Sequence, residues 1–550
     1  VMSKYGEMIA EKNQSQREQA RPDQKANHEG GFVFTLDDWA RLDRFLILGS
    51  DSNTYYCTEK KITKDNLAAV QRCIQLDGPR TVSRIVEISD SGRAPKNDPA
   101  LFALAACCGA TDPNTRKLAL DSLPKVARIG THLFHFAADV EHFRKWGRGL
   151  RTAVAKWYTE QTPQKLAVQA AKYQQRDGWS HRDLLRLSHA TAPSPEHDAI
   201  FRWVVGGTEA LGERKIERRE SDGKTVKRSD SYASVNLPAF LVAFEKLKKS
   251  TDVMEVVALI NEYGFTHEMI PTAWKNHAGV WSALLATMPM TAMIRNLGKL
   301  TSVGVVAPLS YGAKHVVNML GDAEKLKKAR VHPMAILVAL KVYAQGHGEK
   351  GSLSWTPVPA VLDALDSAFY DSFVNVVPTG KNTLIALDVS GSMSSSMCVG
   401  TGALRACEAT AAVALLVAKT EANYHIVGFA DKIRDLGISP KMRLDQAMKR
   451  VVHANFGSTD CSAPMMWAYQ EKVPVETFYV LTDNETYAGD VHPYQAIRAY
   501  RDKMGLNAKL AVFGVSASEF TIADPRDSGM IDIVGFDAAA PQIAADFARG

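Results

Sequence analysis

From residue 371 onward, short runs rich in Val, Ile, Leu, Phe and Tyr alternate with segments of helical period. The runs 383–387, 424–429, 478–481, 509–515 and 530–536 predict strands, and 402–419, 444–452 and 493–503 predict helices between them. Such alternation specifies a mostly parallel sheet with helices on both faces. Before residue 371 the pattern is almost entirely helical. Apolar positions recur at helical spacing in segments of about a dozen residues punctuated by Gly and Pro, and helix pairs advance about every 40 residues. Pro378-Thr379-Gly380 ends the helical pattern and places a boundary near 375–380. The chain thus divides into a polar segment, 1–30, read as a flexible tail, an all-α repeat region over 31–372, and an α/β, Rossmann-like domain over 373–550.

The period of the helical region is that of HEAT-type arrays, which stack helix pairs into curved superhelices with a continuous concave surface. At 550 residues the chain is long for one core. The longest apolar stretch, 280–294, is broken by Pro289 and closed by Arg295, so no membrane span is predicted, and the first thirty residues lack the apolar core of a signal peptide. Seven cysteines, with Cys107 and Cys108 adjacent and no C-x-x-C pair, fit neither a disulfide framework nor a zinc site and point to a reducing cytoplasm. His132, His135 and His142 are interleaved with Leu and Phe and read as core or groove residues rather than metal ligands. The net charge of +6 hides an asymmetry: residues 371–550 carry 16 Lys+Arg against 20 Asp+Glu, leaving 50 against 40 before them. An anionic partner therefore belongs to the first part and a cation to the second.

The cation has a candidate site. Asp388-Val389-Ser390-Gly391-Ser392 follows the strand pattern 383–387, and Gly457-Ser458-Thr459-Asp460 and Leu481-Thr482-Asp483 lie downstream. A carboxylate and two hydroxyls at the carboxyl end of a buried strand occupy the place where open α/β sheets bind ligands. Hard oxygen donors suit Mg²⁺, or Mn²⁺, with one position left for an outside acid. The D-x-S-x-S loop, then a Thr, then an Asp after a later strand, resembles the metal-ion-dependent adhesion site of von Willebrand factor A domains. Its ligands would be Asp388, Ser390, Ser392, Thr459 and Asp483. Asp388 as a mere helix cap would leave Thr459 and Asp483 unexplained. A haloacid-dehalogenase type of nucleophile wants an acid where Ser390 stands, and neither serine fits G-x-S-x-G. A metal-dependent phosphatase or nuclease at Asp388 is the alternative reading. One metal without a base beside it argues against that, since nucleases commonly use two metals, and the chain reads as a non-enzyme.

Residues 144–189 hold ten Lys or Arg and three acids. Arg144, Arg148 and Arg151 are spaced as one helical face opposite Trp146, Leu150, Ala153 and Trp157; Lys165, Gln169, Lys172 and Arg176 repeat the device on a second helix, and Arg182, Arg186 and His189 on a third, which Ser180 and Asp183 open as a capping box. One basic stripe is usually a solvated face, whereas three in succession favour a phosphate-tracking surface. Residues 214–228 add a second cationic cluster with intervening acids. A protein-adhesion module with incidental charge is the remaining competing class.

The stretches Trp146-Gly147-Arg148-Gly149-Leu150-Arg151, Lys172-Tyr173-Gln174-Gln175-Arg176-Asp177-Gly178-Trp179-Ser180, Arg295-Asn296-Leu297-Gly298-Lys299, Asp483-Asn484-Glu485-Thr486 and Phe520-Thr521-Ile522-Ala523-Asp524-Pro525 resemble the TROVE-containing Ro ribonucleoprotein autoantigen family. The likeness runs from about residue 30 to 536 and implies a ring of HEAT-like repeats closed by a von Willebrand factor A domain. It implies Y-like small noncoding RNA on the outer surface, where Lys172, Arg176 and His189 match the family's RNA-binding positions, and the single-stranded 3′ end of misfolded or damaged RNA in the ring, in support of RNA quality control and decay. It further implies a monomer and, for a bacterial branch, association with a 3′-to-5′ exoribonuclease of the polynucleotide phosphorylase type. Gly391 stands where animal forms carry Ala, and residues 212–232 are more charged than the animal pattern.

Overall fold

A computed structural model of the chain describes residues 14–49, 59–94, 96–211, 214–219, 225–230, 237–348, 352–373, 376–397, 404–454, 457–515, 518–537 and 539–549. It comprises two compact units. One holds residues 74–91 and 97–314; the other gathers the chain up to Cys73, the short stretch Gly92–Lys96 and the whole of His315–Gly550. No helix of the described residues is long and apolar enough to cross a membrane.

The N-terminal segment corrects the expectation of a flexible tail over 1–30. Residues 1–13 lie outside the described residues, but from residue 14 onward the segment packs into the C-terminal unit. Strands β1 (Gln24–Ala26) and β2 (Phe32–Thr35) pair as an antiparallel hairpin. Asn27 Oδ1 accepts from the Glu29 and Gly31 amides to form its turn. Gly31 admits no side chain, because a Cβ there would lie 1.9 Å from the Thr486 carbonyl oxygen. Val33 and Phe34 enter the core of the C-terminal unit, with Phe34 edge-on to Tyr494 at 5.4 Å. The guanidinium of Arg21 is held by Asp23 at 2.7 Å and by Asp524, and it lies over the Phe34 ring. Polar composition alone misread this segment because its Gln, Asn and Arg side chains find buried partners hundreds of residues away.

The helical unit is built of short helices, among them Gly130–Phe143, Arg148–Thr159, Pro163–Lys172, His181–Ser188 and Pro195–Gly206. Each buries one apolar stripe, as Leu150, Ala153, Val154, Trp157 and Tyr158 do on Arg148–Thr159. Between two of them β3 (Gln175–Arg176) and β4 (Trp179–Ser180) form a small hairpin, and β5 (Arg214–Arg219) pairs antiparallel with β6 (Thr225–Asp230) over the second cationic cluster. His181 is enclosed, with its Nδ1 2.8 Å from the Tyr158 hydroxyl. Gly130 makes room for it, since a Cβ at that position would sit 2.9 Å from His181 Nε2.

In the C-terminal unit β7 (Asn382–Asp388), β8 (Asn423–Phe429), β9 (Ile433–Asp435), β10 (Thr477–Thr482), β11 (Lys509–Gly514), β12 (Phe520–Thr521) and β13 (Met530–Val534) follow in order. The central sheet runs β13-β11-β10-β7-β8-β9, parallel except for the antiparallel edge strand β9. This agrees with the predicted mostly parallel sheet. All six residues of β10 are buried, as a strand covered on both faces requires. The helix expected over 402–419 spans Ala406–Thr420, while Leu444–Val452 falls on its expected bounds; residue 402 lies outside the described residues. Three helices were not anticipated, Gly391–Ser395, Ala463–Glu471 and Ala539–Arg549. Neither was β12, which pairs with β2 and draws the N-terminal hairpin into a three-stranded sheet.

Arg44, on the helix Asp38–Leu48, is 1% exposed and reaches Asp532 of β13 with both oxygens at 2.7 and 2.8 Å, also donating to the Ser518 carbonyl. Gly514 at the end of β11 leaves space for it, because a Cβ there would meet Arg44 Nη2 at 2.4 Å. Arg44→Met removes the charge-assisted bonds to the part-buried Asp532 carboxylate, which keeps the Thr521 hydroxyl, and is expected to destabilise the C-terminal unit by about 1.5–3 kcal/mol, read by denaturant unfolding. In the helical unit burial holds the His181 imidazole down at about 4. The unfolded chain takes up a proton there near pH 6.5 while the folded chain does not, so stability is full above pH 6.5 and falls as pH drops toward 4. His181 alone should contribute a loss of about 1.4 kcal/mol per pH unit across that window, and His181→Gln should flatten the acid limb of a pH series of melting temperatures by that slope.

Candidate nucleic-acid interface and metal centre

The basic residues of 144–189 sort differently from the three helical stripes. Arg144 ends the helix Gly130–Phe143 in extended backbone, is half-buried, and donates to the Cys108 carbonyl, so it serves the fold. Trp146 also precedes its helix, which begins at Arg148. On the second helix Lys165 is exposed, but Gln169 is buried and accepts from the Gly130 amide. Lys172 is the last helical residue; it lies 3.5 Å from Glu268 and over the Tyr173 ring. Arg176 is on the hairpin strand β3, well exposed, 3.7 Å from Asp177. The third stripe stands as expected: Ser180 and Asp183 form the capping box, Arg182 and Arg186 are exposed, and His189 closes the helix in a left-handed conformation with its ring exposed.

What the fold brings together is narrower than the stripes. Arg148, Arg151 and His189 border one cavity of about 470 Å³, with Trp146, Thr152, Ala155, Ser188 and Thr191 as the rest of its lining. The Trp146 ring meets the Trp179 ring at 5.6 Å, and Trp179 is the cross-strand partner of Arg176. The hairpin that carries Arg176 is thereby fixed to the rim of the cavity. Its tight turn needs positive φ at both Asp177 and Gly178, and Asp177 is tied to His135. A concave surface with an indole wall and guanidinium groups at its edge can accept a phosphodiester with a stacked base. Lys165, Arg182 and Arg186 are not part of the cavity lining: Lys165 lies on the helix Pro163–Lys172, and Arg182 and Arg186 lie on the helix whose end, Ser188 and His189, borders the cavity.

The five residues predicted to hold a metal are all buried, at the carboxyl ends of β7 and β10 and on the loop 457–460. β7 and β10 are neighbours from which the connections diverge to opposite edges of the sheet, the switch point at which such sheets bind ligands. Backbone bonds gather the loops there. The Val389 amide donates to the Phe429 carbonyl, the Asp460 amide to the Ala430 carbonyl, and the Tyr487 and Ala488 amides to the Thr459 carbonyl. Asp388 Oδ1 accepts from the Ser390 amide at 3.0 Å, and the Ser390 and Ser392 hydroxyls are 3.0 Å apart. Ser392 in turn bonds Asp483. Thr482 donates to Asp388 Oδ2 at 2.6 Å. Thr482 was passed over in the sequence, although its place immediately before Asp483 at the strand end is the signal that could have found it.

Two enclosed carboxylates in each other's field are costly. Burial pushes the Asp388 carboxyl upward, and burial together with the charge of Asp388 pushes Asp483 up to about 8. A divalent cation offsets that cost, and the donor set of carboxylates and hydroxyls is the hard-oxygen kind that Mg²⁺ or Mn²⁺ takes, with neither sulfur nor imidazole among the five. The residues present therefore fit such an ion.

Similarity to known proteins agrees with the two-part fold. The family model described as the TROVE domain matches residues 25–341, and that of the Ro60 vWA domain matches 382–548. A Deinococcus radiodurans protein named RNA-binding protein RO60 is 41% identical over 98% of both chains, and a Caenorhabditis elegans protein of the same name is 37% identical over 97% of this chain and 91% of its own. The crystal structure of the Deinococcus radiodurans RO (RSR) protein aligns with a TM-score of 0.69 at 39% identity, covering 94% of this chain and all of that one. With more than half of its length inside the TROVE domain and full-length relatives well above 30% identity, the chain belongs to the Ro60 family, a helical TROVE domain followed by a von Willebrand factor A domain.

Proposed function

We propose that this chain is the RNA-binding scaffold of a small ribonucleoprotein. The observation that carries the reading is the Trp146-walled cavity rimmed by Arg148, Arg151 and His189, with Arg176 fixed beside it by the Trp146–Trp179 contact. The relatives' name, RNA-binding protein, supports it. A structured Y-like RNA lies on these exposed basic helices. A second route, a single-stranded 3′ end of misfolded or damaged RNA held in the ring, rests on the family resemblance, as do a monomeric state and delivery of RNA to a 3′-to-5′ exoribonuclease of the polynucleotide phosphorylase type. Among the described residues the cysteines at 73, 107, 108, 407 and 461 are buried thiols, which suits a reducing cytoplasm. In the C-terminal unit, Asp388, Ser390, Ser392, Thr459 and Asp483 hold Mg²⁺ or Mn²⁺. The ion supplies a Lewis-acidic position for an outside carboxylate, and the chain's own hydroxyls orient the two carboxylates toward it. This is a binding site rather than a hydrolytic one, because one metal with hydroxyl ligands lacks the paired metals that nucleases commonly use.

Binding of a Y-like RNA should weaken steeply with salt. Log affinity falls with log salt by about 0.7–0.9 per phosphate neutralised, so Arg176→Ala should flatten the slope by about that amount. Lys172→Ala should flatten it less, because Glu268 already faces that ammonium. A fluorescence-anisotropy series in KCl measures both, and a slope indifferent to Arg176 would remove the hairpin from the interface. Calorimetric titration with Mn²⁺ tests the second site. Asp388→Asn, nearly isosteric and still able to accept from Thr482, should weaken Mn²⁺ by more than the about 10–100-fold typical of groups that only support a ligand. RNA incubated with the same Mn²⁺-loaded protein should stay intact; cleavage lost in Asp388→Asn would establish the phosphatase or nuclease reading instead.

A further inference from the structure

The metal loops are latched by a side chain from the other end of the chain. Gln16 is fully buried. Its Nε2 donates to Asp460 Oδ1 at 2.7 Å and to the Val491 carbonyl at 2.8 Å, and its Oε1 accepts from the Thr486 hydroxyl at 2.5 Å. Its backbone amide donates to the Gly489 carbonyl and its own carbonyl accepts from Phe32, which ties it to the β1–β2 hairpin. One carboxamide therefore spans two loops, 457–460, which carries Thr459, and 483–491, which begins at Asp483. Both loops close tightly around it: a Cβ on Gly489 would lie 2.4 Å from both Gln16 Nε2 and Asp460 Oδ1. Neighbouring contacts work in the same direction. Asn27 donates to the Thr486 carbonyl, and His28 reaches Glu485 through its amide at 2.9 Å and its Nδ1 at 2.6 Å. Asp460, fixed by Gln16, also accepts from the Ser462 amide and hydroxyl, so the backbone around Thr459 has little freedom.

From this arrangement we propose that Gln16 is a positioning residue of the metal centre, and that the N-terminal segment is a structural part of the site rather than an appendage of the helical domain. The inference rests on the metal reading above for its consequence, but not for its geometry. A carboxamide is needed because the cluster demands donors toward Asp460 and Val491 and an acceptor toward Thr486 from one planar group. Alanine supplies neither, and glutamate would set a second carboxylate against Asp460. Groups that orient metal ligands without touching the ion typically change affinity by about 10–100-fold when removed.

The experiment compares full-length wild type, Gln16→Ala, Gln16→Glu and Arg21→Ala. Arg21 belongs to the same N-terminal segment but binds Asp23 and Asp524, away from the two loops. It therefore reports how much a loosened segment matters by itself. Mn²⁺ affinity is measured by calorimetry, and amide hydrogen exchange is followed in metal-free protein. Gln16→Ala should lose about tenfold in Mn²⁺ affinity, and Gln16→Glu more, whereas Arg21→Ala should keep wild-type affinity despite a lowered melting temperature. The amides of Tyr487 and Ala488, which donate to Thr459, should exchange faster in both Gln16 variants and not in Arg21→Ala. Unchanged Mn²⁺ affinity in Gln16→Ala, or an equal loss in Arg21→Ala, overturns the proposal. Failure of wild type to bind Mn²⁺ would overturn the metal reading itself. The exchange data then decide the positioning role alone, with unchanged protection at Tyr487 and Ala488 counting against it.

Discussion

Burying Asp388 and Asp483 side by side is the constraint on which the C-terminal unit is arranged. The cost of ionising both in a buried site exceeds what any single hydrogen bond returns, so each carboxylate is surrounded by donors. Thr482 and the Ser390 amide serve Asp388, while Ser392 and the Glu485 amide serve Asp483. Those donors sit on loops that must themselves be held, and the holding is done by backbone bonds between loops and by the N-terminal segment. Sheet topology sets the stage, because β7 and β10 are adjacent and parallel and deliver both carboxylates to one edge. The N-terminal hairpin finishes it by adding β1 and β2 beside β12 and burying Phe34.

The helical unit solves the opposite problem. The cations proposed to meet RNA must stay in water yet remain ordered, and the fold anchors them through their neighbours. Trp157 donates to the Ala127 carbonyl at 2.6 Å and fixes the helix that presents Arg148 and Arg151. The capping box at Ser180 starts the helix that ends at His189, and the Trp146–Trp179 contact sets the hairpin that presents Arg176. Arginines in such positions keep their charge and lose little further freedom on meeting a phosphate. Lys172, already opposed by Glu268, is the less available cation of the pair.

Membership in the Ro60 family and the geometry meet in the same places, since three of the sequence stretches that carry the resemblance build the two candidate sites. Trp146 to Arg151 forms a wall of the cavity, Lys172 to Ser180 includes the hairpin at its rim, and Asp483 to Thr486 runs from a carboxylate of the candidate metal centre to the loop that Gln16 holds.

Local pattern by itself determined the α/β alternation of the C-terminal part, five central strands near their observed bounds, the helical character of the first part and the five oxygen-bearing residues that are buried around the carboxyl ends of β7 and β10. These are legible because strand burial, helical period and the D-x-S-x-S loop are written within a few consecutive residues. Helical spacing also named the exposed Arg148, Arg182 and Arg186. It failed where the helix ends before the spacing does: Arg144 and Arg176 lie off their helices, and Gln169 turns inward to cap Gly130. Only the tertiary structure decided that Gln16, Arg21 and Phe34 belong to the C-terminal core, that Thr482 supports Asp388, and that Arg148, Arg151 and His189 share a cavity. Each of those depends on contacts between residues far apart in the chain, where a buried polar side chain looks from sequence like any other solvated one.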